Sequence, residues 1–376
     1  MRLAMVAGEA SGDLLAALLM QGLKSRWPAL QAAGIGGPRM QAEGFEAWWP
    51  SDKLAVRGYI EVLRHYREIA GIRRALAQRL RSEPAQAFIG VDAPDFNLEL
   101  EATLRDAGMR CLHFVCPSIW AWRGGRVEKL RRCCEHVLCL FPFEPELLRA
   151  RGVPATFVGH PLADAIPLEV SQAQARRSLG LHESDTVVAV LPGSRRSEVD
   201  YNAPVFLLAA AEMARRRGGL RFVLPVAPGL RQAVELLVQR HAPSLELQLV
   251  DGRSHAALAA CDVTLIASGT ATLEAALFRR PMVIGYRVHP LTYQLMKRLA
   301  YQPWVGLPNI LCRDFVVPEL LQRECTPRAL ADAAFAWLDQ PSRAAALSRR
   351  FEDLHHSLRR DTAQRATDAI AQALEA

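Results

Sequence analysis

Short apolar runs alternate with helical patterns along almost the whole chain. Runs of four to six mainly apolar residues predict buried strands, and apolar residues at every third or fourth position between them predict helices. Repeated alternation of this kind predicts parallel sheets with helices on both faces. The predicted strands are Leu3–Ala7, Ala32–Gly36, Ala87–Val91, Arg110–Val115, His136–Leu140, Ala155–Val158, Thr186–Leu191, Leu220–Pro225, Leu245–Val250, Val263–Ala267 and Pro281–Tyr286.

The pattern divides the chain in the middle. The stretch Gly159–Val170 contains two prolines and leads into a new helix, with Ser171 as the predicted N-cap. We therefore predict two doubly wound, Rossmann-like domains, over residues 1–165 and 166–340. Each has the strand edge at which ligands of such sheets bind, and we expect the two to face each other across a cleft.

The end of the chain is purely helical in pattern. Beyond Thr326 we predict helices over Arg328–Leu338 and Ser342–Leu374. The last segment, residues 341–376, is expected to pack back on the first domain or on a partner subunit, in which case the C-terminal helices would form a homodimer.

Composition sets the class and the compartment. The chain has 376 residues, of which half are hydrophobic, enough for two sizeable cores. No run approaches the roughly 18 uncharged apolar residues of a spanning helix. The first apolar run is short and lacks the pattern of a signal peptide. The eight cysteines form no C-x-x-C pair and are interpreted as buried, reduced thiols of a cytoplasmic protein.

The charge balance points to an anionic partner. The net charge is +7, and arginine supplies most of the positive charge, which suits phosphate, nucleic acid or an anionic membrane surface. No nucleic-acid module is present, so we expect no nucleic acid. We also expect no metal and no cofactor: no metal-ligand spacing occurs, and Gly34–Gly37 is only half of a dinucleotide-binding pattern.

The first fifteen residues outline a strand, a tight turn and the start of a helix. The apolar run Leu3–Ala7 breaks at Gly8, passes through the segment EASGD and resumes with helical spacing. Ligands of open α/β sheets bind at such turns. We therefore predict a site here, with Glu9, Ser11 and Asp13 as its polar side chains.

A second turn follows the strand Ala87–Val91. Asp92 lies where that strand ends and is a candidate base for a substrate hydroxyl. Asp95 lies in the first turn of the next helix, so we interpret it as a helix-terminal carboxylate. The loop Pro117–Arg123 contains Trp120 and Trp122. These side chains fit a wall for an apolar or sugar ligand and fit loop packing equally well.

Two segments of the second half are suited to phosphate. The loop Pro192–Glu198 offers an arginine fork that matches two phosphate oxygens, although an ordinary turn with a surface arginine looks the same. The segment Ser268–Glu274 begins a helix, whose N–H groups attract anions. Glu274 suits a ribose diol, or is simply a carboxylate favoured by the helix dipole. The predicted nucleotide-sugar site comprises Gly193, Ser194, Arg195, Ser268, Gly269, Thr270, Ala271, Thr272 and Glu274.

Residues 58–82 predict a basic amphipathic helix. An apolar stripe that includes Val62, Ile69 and Leu76 opposes a face rich in arginine. Such a helix is typical of a membrane interface, and equally of a helix that packs on a core with a solvated charged face.

Seven motifs in this order resemble the lipid-A-disaccharide synthase family, bacterial glycosyltransferases with the two-domain GT-B architecture. The resemblance runs essentially end to end. One departure is Cys116, where the family pattern leads us to expect serine. The motifs are GEASGD at Gly8–Asp13, GVDAPDFN at Gly90–Asn97, PSIWAWR at Pro117–Arg123, FVGHP at Phe157–Pro161, LPGSR at Leu191–Arg195, SGTATLEAAL at Ser268–Leu277 and LPNIL at Leu307–Leu311.

The resemblance implies a reaction and roles in it. The 6-hydroxyl of 2,3-diacylglucosamine 1-phosphate (lipid X) attacks the anomeric carbon of UDP-2,3-diacylglucosamine with inversion, giving a β-1′,6-linked disaccharide 1-phosphate and UDP. Such enzymes generally need no divalent metal. The implied catalytic residues are Asp92 as base, Arg195 as stabiliser of the departing UDP, Glu9 to orient the acceptor and Asn309 to help close the cleft; Ser11, Asp13 and Trp120 are assigned to the substrate.

The resemblance also favours the membrane interpretation of residues 58–82, because both substrates carry acyl chains. Ile60, Val62, Leu63 and Ile69 would enter the acyl boundary while arginines meet lipid phosphates. We expect a peripheral protein on the cytoplasmic face of the inner membrane. The alternatives are another UDP-sugar enzyme of GT-B architecture (a transferase for a prenyl-linked acceptor or a UDP-sugar epimerase) and a non-catalytic lipid- or nucleotide-binding protein.

Overall fold

A computed structural model describes residues 1–54, 59–121, 124–299 and 301–375. The chain forms two compact units: Met1–Asp164 with Ser357–Ala376, and Ala165–His356. Each unit has a parallel sheet with helices packed on it, which confirms the predicted α/β class. The predicted segment 341–376 is divided between the units, since its first part belongs to the second unit and its last part to the first.

The first unit is built around a seven-stranded parallel sheet with the order β3-β2-β1-β4-β5-β6-β7. Its elements in chain order are β1 Arg2–Ala7, α1 Glu9–Arg26, β2 Gln31–Gly36, α2 Pro38–Ala42, β3 Glu46–Pro50, a 3-10 helix Ser51–Leu54, α3 Tyr59–Ser82, β4 Ala87–Val91, α4 Pro94–Asp106, β5 Cys111–Phe114, α5 Arg126–Cys133, β6 His136–Cys139, α6 Glu144–Arg149, β7 Ala155–Phe157 and α7 Pro161–Ala165.

The side chains of the central strand β1 contribute to two apolar cores. Leu3 and Met5 belong to an apolar cluster that includes buried residues of α1, whereas Ala4 and Val6 belong to a cluster that includes residues of α3 and α4. Side chains alternate between the two faces of a strand. A strand that is apolar at every position therefore lies between two layers of helices.

The second unit has a six-stranded parallel sheet with the order β10-β9-β8-β11-β12-β13. Its elements are α8 Gln172–Ser178, β8 Thr186–Leu191, α9 Arg196–Arg216, β9 Leu220–Val226, α10 Arg231–His241, β10 Leu247–Asp251, α11 Ser254–Ala260, β11 Val263–Ala267, α12 Thr270–Leu277, β12 Met282–Tyr286, α13 Pro290–Leu299, α14 Leu307–Cys312, β13 Glu319–Leu321, α15 Pro327–Leu338 and α16 Pro341–Leu358. The predicted cap of α8 is confirmed, because Ser171 Oγ accepts the N–H of Gln174 at 3.2 Å.

The last helix, α17 Thr362–Glu375, belongs to the first unit and packs along α1. Its start is held by Asp164, whose carboxylate accepts the backbone N–H groups of Arg360 (3.0 Å), Asp361 (3.1 Å) and Thr362 (2.7 Å). The predicted continuous helical segment Ser342–Leu374 is wrong at this point. The backbone leaves the helix before Asp361, which has a φ of +53°.

Two edge strands are absent from the sequence prediction. They are β3 and β13, which each close one side of a sheet and have only half-buried or exposed residues. Short edge strands lack the continuous apolar run by which buried strands are recognised.

Candidate functional site

Each sheet reverses its strand order once, and the predicted site segments lie at these two switch points. In the first unit the reversal is between β1 and β4, and in the second between β8 and β11. Loops after the two strands diverge at such a point and leave a crevice at the carboxyl ends of the strands, where ligands of open α/β sheets bind.

In the first unit the turns after β1 and β4 touch each other. Ala7 and Val91, the last residues of the two strands, are paired in register. A Cβ built on Gly8 would lie 3.1 Å from the Cβ of Ala93. The glycine therefore permits a close approach of the two turns, and it brings the predicted segment Gly8–Asp13 beside Asp92.

The turn after β4 has an unusual backbone. Asp92 and Ala93 have φ values of +51° and +45°, a left-handed conformation that costs residues with a side chain about 1–3 kcal/mol each. The N–H of Asp92 donates to the carbonyl of Phe114 (2.9 Å), and its side chain is half-buried. Strain of this kind is concentrated at functional sites, so it supports the predicted importance of Asp92.

Asn97 holds this turn in place, a role that sequence reasoning missed. Its buried Nδ2 donates to the carbonyls of Asp92 (2.8 Å), Val6 (3.3 Å) and Val91 (3.4 Å). The side chain thus ties the ends of β1 and β4 together. Its place inside the motif GVDAPDFN was the available signal, although its partners were not readable from the sequence.

The structure gives Asp13 a different role from the predicted one. Its buried carboxylate accepts the backbone N–H groups of Gly37 (2.9 Å), Arg39 (3.0 Å) and Met40 (3.1 Å) at the start of α2. Both oxygens are engaged, so Asp13 holds the loop after β2 rather than substrate. Ser11 is half-buried, and the side chain of Glu9 lies outside the described part of the chain.

Trp120 is packed into the loop that carries it. It is buried, its ring meets Phe141 and Phe143 edge to face, and its Nε1–H donates to Oε1 of Glu144 (2.9 Å). Burial raises the pKa of Glu144 to about 8. These contacts favour the loop-packing alternative over a sugar-binding wall, because almost no face of the indole is left for a ligand. Trp122 and Arg123 lie outside the described residues.

The loop after β8 presents Arg195 at the start of the long helix α9. Gly193 has a φ of +135°, and a Cβ there would lie 2.5 Å from the Cβ of Glu198, so the turn needs glycine. Glu198 accepts the N–H of Ser194 (3.1 Å) and pairs with Arg195 Nη1 (2.6 Å). Glu198, another residue missed in the sequence, therefore fixes the arginine fork at a helix N-terminus, where anions are favoured.

The adjoining loop after β11 begins α12. Ile266 is paired with Leu191 of β8, so the two loops leave the sheet side by side. Gly269 and Thr270 are exposed, with a φ of +152° at Gly269, and Ala271 is half-buried. Glu274 is half-buried, and one of its oxygens lies 3.6 Å from Nε2 of His255.

Two hydroxyls of this loop have internal partners. Ser268 Oγ donates to the carbonyl of Val305 (2.9 Å), and buried Thr272 Oγ1 donates to the carbonyl of Gly269 (2.8 Å). The hydroxyl of Thr272 thus closes the first turn of α12, and the predicted donor-binding role of Thr272 stays a prediction.

Asn309 stabilises the neighbouring loop instead of reaching a ligand. It is fully buried, and its amide binds the backbone N–H and carbonyl of Val317 (3.0 and 2.9 Å) and the carboxylate of Glu319 (2.8 Å). Glu319 also accepts the N–H groups of Val305 and Gly306 (both 2.9 Å), and burial raises its pKa. The predicted catalytic role of Asn309 thus becomes one of positioning, through Val305, behind Ser268.

Most of the residues predicted to contact the membrane lie outside the part of the chain whose side chains the structure describes. The side chains of Ile60, Val62 and Leu63 are not among the described ones. Ile69 is half-buried and packs on the core beneath α3, with buried Leu76 in the same cluster, which favours the core-packing alternative for this residue. None of the described helices is long and apolar enough to cross a membrane.

The cysteines are buried, as predicted. All eight are free and seven are buried. Burial raises the pKa of Cys139, and a hydrogen bond with Cys133 together with burial raises that of Cys134, so both thiols are protonated at neutral pH. Among the described residues, two buried groups place thiols beside a carboxylate: Glu101 with Cys133 and Cys134, and Glu144 with Cys116 and Cys139.

Solved structures with the same architecture include glycosyltransferases and epimerases. The UDP-GlcNAc 2-epimerase from Neisseria meningitidis bound to UDP-GlcNAc aligns with a TM-score of 0.66 at 11% identity, covering 100% of both chains. MurG from Acinetobacter baumannii aligns with a TM-score of 0.58 at 14% identity, covering 99% of each chain. At these identities the likeness shows the fold, and it confirms the predicted GT-B architecture.

Sequence relatives are much closer. The family model described as Lipid-A-disaccharide synthetase matches residues 3–374. The lipid-A-disaccharide synthase of Verminephrobacter eiseniae is 56% identical over 98% of this chain and 96% of its own length. That of Albidiferax ferrireducens is 55% identical over 100% of this chain and 98% of its own. The chain therefore belongs to the lipid-A-disaccharide synthase family, glycosyltransferases of lipid A biosynthesis.

Proposed function

We propose that this enzyme transfers 2,3-diacylglucosamine from its UDP derivative to the 6-hydroxyl of 2,3-diacylglucosamine 1-phosphate. The observation that carries the proposal is the end-to-end match to one family, combined with a distinct polar site at the switch point of each unit. The product is the β-1′,6-linked disaccharide 1-phosphate, and UDP leaves.

The second unit is the proposed donor site. Arg195 offers a guanidinium fork at the start of α9, and the exposed Gly269 and Thr270 offer N–H groups at the start of α12. Negative charge grows on the pyrophosphate as UDP departs, and fixed donors stabilise such charge without reorganising. Glu274, whose carboxylate lies 3.6 Å from Nε2 of His255, is proposed to hold the ribose hydroxyls.

The first unit is the proposed acceptor site, with Asp92 as general base. Its carboxylate takes the proton of the acceptor 6-hydroxyl as that oxygen bonds to the anomeric carbon. The bond from the anomeric carbon to the UDP oxygen breaks, and its electron pair leaves with UDP. Because attack and departure occur on opposite faces, one displacement inverts the configuration and no covalent intermediate is formed. The transition state is expected to resemble an oxocarbenium ion.

The substrates' acyl chains require access to a lipid surface. We propose that the enzyme works as a peripheral protein at the cytoplasmic face of the inner membrane, with the basic helix α3 at the anionic surface. Arg67, Arg74 and Arg81 are exposed on this helix and suit lipid phosphates. A homodimer through the C-terminal helices remains part of the proposal. Replacing Ile60, Val62 and Leu63 by serine should lower liposome association; unchanged association would exclude this contact.

Product analysis with one defined diacyl donor and one defined acceptor tests the proposed reaction. A disaccharide 1-phosphate and an equal amount of UDP are expected. Epimerised free sugar would instead identify a UDP-sugar epimerase, transfer only to a prenyl-linked acceptor would identify another glycosyltransferase, and nucleotide binding without UDP release would indicate a binding protein.

A further inference from the structure

Three large apolar side chains of the second unit are exposed within a short stretch of the chain. Tyr301 is 63% exposed, Phe315 59% and Leu299 37%. Exposed apolar side chains that lie together, unlike scattered ones, mark docking surfaces.

Trp304 joins the two parts of this stretch in space. Its ring meets that of Phe315 edge to face, with centroids 6.0 Å apart. Tyr301 is three residues before Trp304, so their Cα atoms are at most about 11 Å apart. Arg313, with a φ of +52°, ends α14 and turns the chain toward Phe315. Phe315 is thus in contact with Trp304, and Tyr301 is close to Trp304 along the chain.

The charged side chains of the segment that precedes Asp314 have one sign. Between Glu274 and Asp314 the sequence contains six Lys or Arg and no Asp or Glu. Lys297, Arg298 and Arg313 are all exposed. Within the described parts of the chain none of these three forms an ion pair, while Asp314 is paired with Arg350 (2.9 Å). The surface is therefore cationic as well as aromatic.

We propose that this aromatic–basic surface, formed by Lys297, Arg298, Leu299, Tyr301, Arg313 and Phe315, docks the second unit on an anionic phospholipid surface. Aromatic rings settle at the level of the headgroups, and Lys and Arg bury their stems while their charges meet lipid phosphates. The combination fits a lipid layer better than another protein core, since Lys297, Arg298 and Arg313 are each within four residues of an exposed ring along the chain and form no ion pair among the described residues.

The surface also adjoins the proposed donor loop. Ser268 of that loop donates to the carbonyl of Val305, the residue after Trp304. A donor that carries acyl chains has to leave a lipid layer to reach this loop, and a docked second unit shortens the path. This relation and the choice of a lipid partner rest on the proposed function, whereas the surface of the second unit is tested separately from α3.

The test is sedimentation of the full-length protein with vesicles of phosphatidylcholine containing phosphatidylglycerol, compared with phosphatidylcholine alone. Replacing Lys297 and Arg298 by glutamine should weaken binding to the anionic vesicles about 25-fold, since each surface cation contributes about a fivefold factor. Tyr301→Ser with Phe315→Ser should weaken it by a similar factor. The matched control is Leu236→Ser with Arg240→Gln, an equally exposed apolar residue and a cation on α10, which should bind like the unmodified protein.

Unchanged vesicle binding in both surface variants would overturn the proposal. A shift in oligomeric state without a loss of vesicle binding would also overturn it, and would assign the surface to a second copy of the chain. Circular dichroism and UDP titration verify that the variants are folded. Turnover of water-soluble, short-chain substrates separates this proposal from the proposed function, because loss of vesicle binding should leave that turnover intact.

Discussion

The two switch points share a topology and differ in their chemistry. At the first, turns with Glu9 and Asp92 leave strands β1 and β4, and the second turn is strained at Asp92 and Ala93. At the second, the loop after β8 contains Gly193 and Arg195, and the loop after β11 contains the exposed helix start at Gly269. A fold fixes where a ligand is held, and the side chains decide which ligand. A carboxylate suits an acceptor hydroxyl, and an arginine at a helix start suits a pyrophosphate.

The largest effect is expected from a substitution at the first switch point. Asp92→Asn removes the proposed base, so turnover should fall about a thousandfold, within the range that general bases contribute. The measurement is UDP release with both lipid substrates. Asp95→Asn is the matched control, because Asp95 lies three residues further on, in the first turn of α4, and is paired with Arg126 at the surface. A rate for Asp92→Asn near that of the unmodified enzyme would remove Asp92 from its proposed role.

The next largest effect is expected from a substitution at the second switch point. Arg195→Ala removes a charged donor from the pyrophosphate, and UDP should bind about tenfold to a hundredfold more weakly. Isothermal titration measures it. Arg196→Ala is the control, since the neighbouring arginine is exposed and paired with Asp200. Equal losses in both variants would mean a general effect of surface charge and would count against a specific fork.

The smallest expected effect distinguishes, within the first unit, a residue that stabilises the fold from a residue that takes part in the reaction. Asp13→Asn leaves one oxygen where two now accept three backbone N–H groups, and should cost about 1–3 kcal/mol of unfolding free energy. Turnover per folded molecule should be nearly unchanged. Thermal melting and kinetics are compared with Asp106→Asn, an exposed aspartate at the end of α4. A large loss of turnover without loss of stability would return Asp13 to the substrate.

The fold was predictable because its signals are local. A buried strand, a glycine turn and a helix start within about fifteen residues are recognised by pattern alone, as at Gly8 and at Gly193. The edge strands β3 and β13 were not predicted from the sequence, because only part of their surface is buried. The break before α17 was not predicted either, because the residue that caps the helix, Asp164, lies nearly two hundred residues earlier in the chain.

The site was predictable only in part. Sequence reasoning placed Asp92 and Arg195 at strand ends, and the structure puts each at a switch point. It misassigned Asp13 and Asn309, whose partners at Gly37–Met40 and Val317–Glu319 come from other loops. A carboxylate beside a turn looks the same in sequence whether it faces a ligand or a buried N–H. Only the hydrogen-bond partners distinguish the two.

We propose that the nucleotide binds to the second unit and that the proton transfer takes place in the first. The most direct test is a UDP titration of the Asp92→Asn variant beside the unmodified enzyme. We expect the same UDP affinity within about twofold, a difference of about 0.4 kcal/mol, in a variant that turns over about a thousandfold more slowly. A loss of UDP affinity as large as that of Arg195→Ala would place the nucleotide at the first switch point and contradict this assignment.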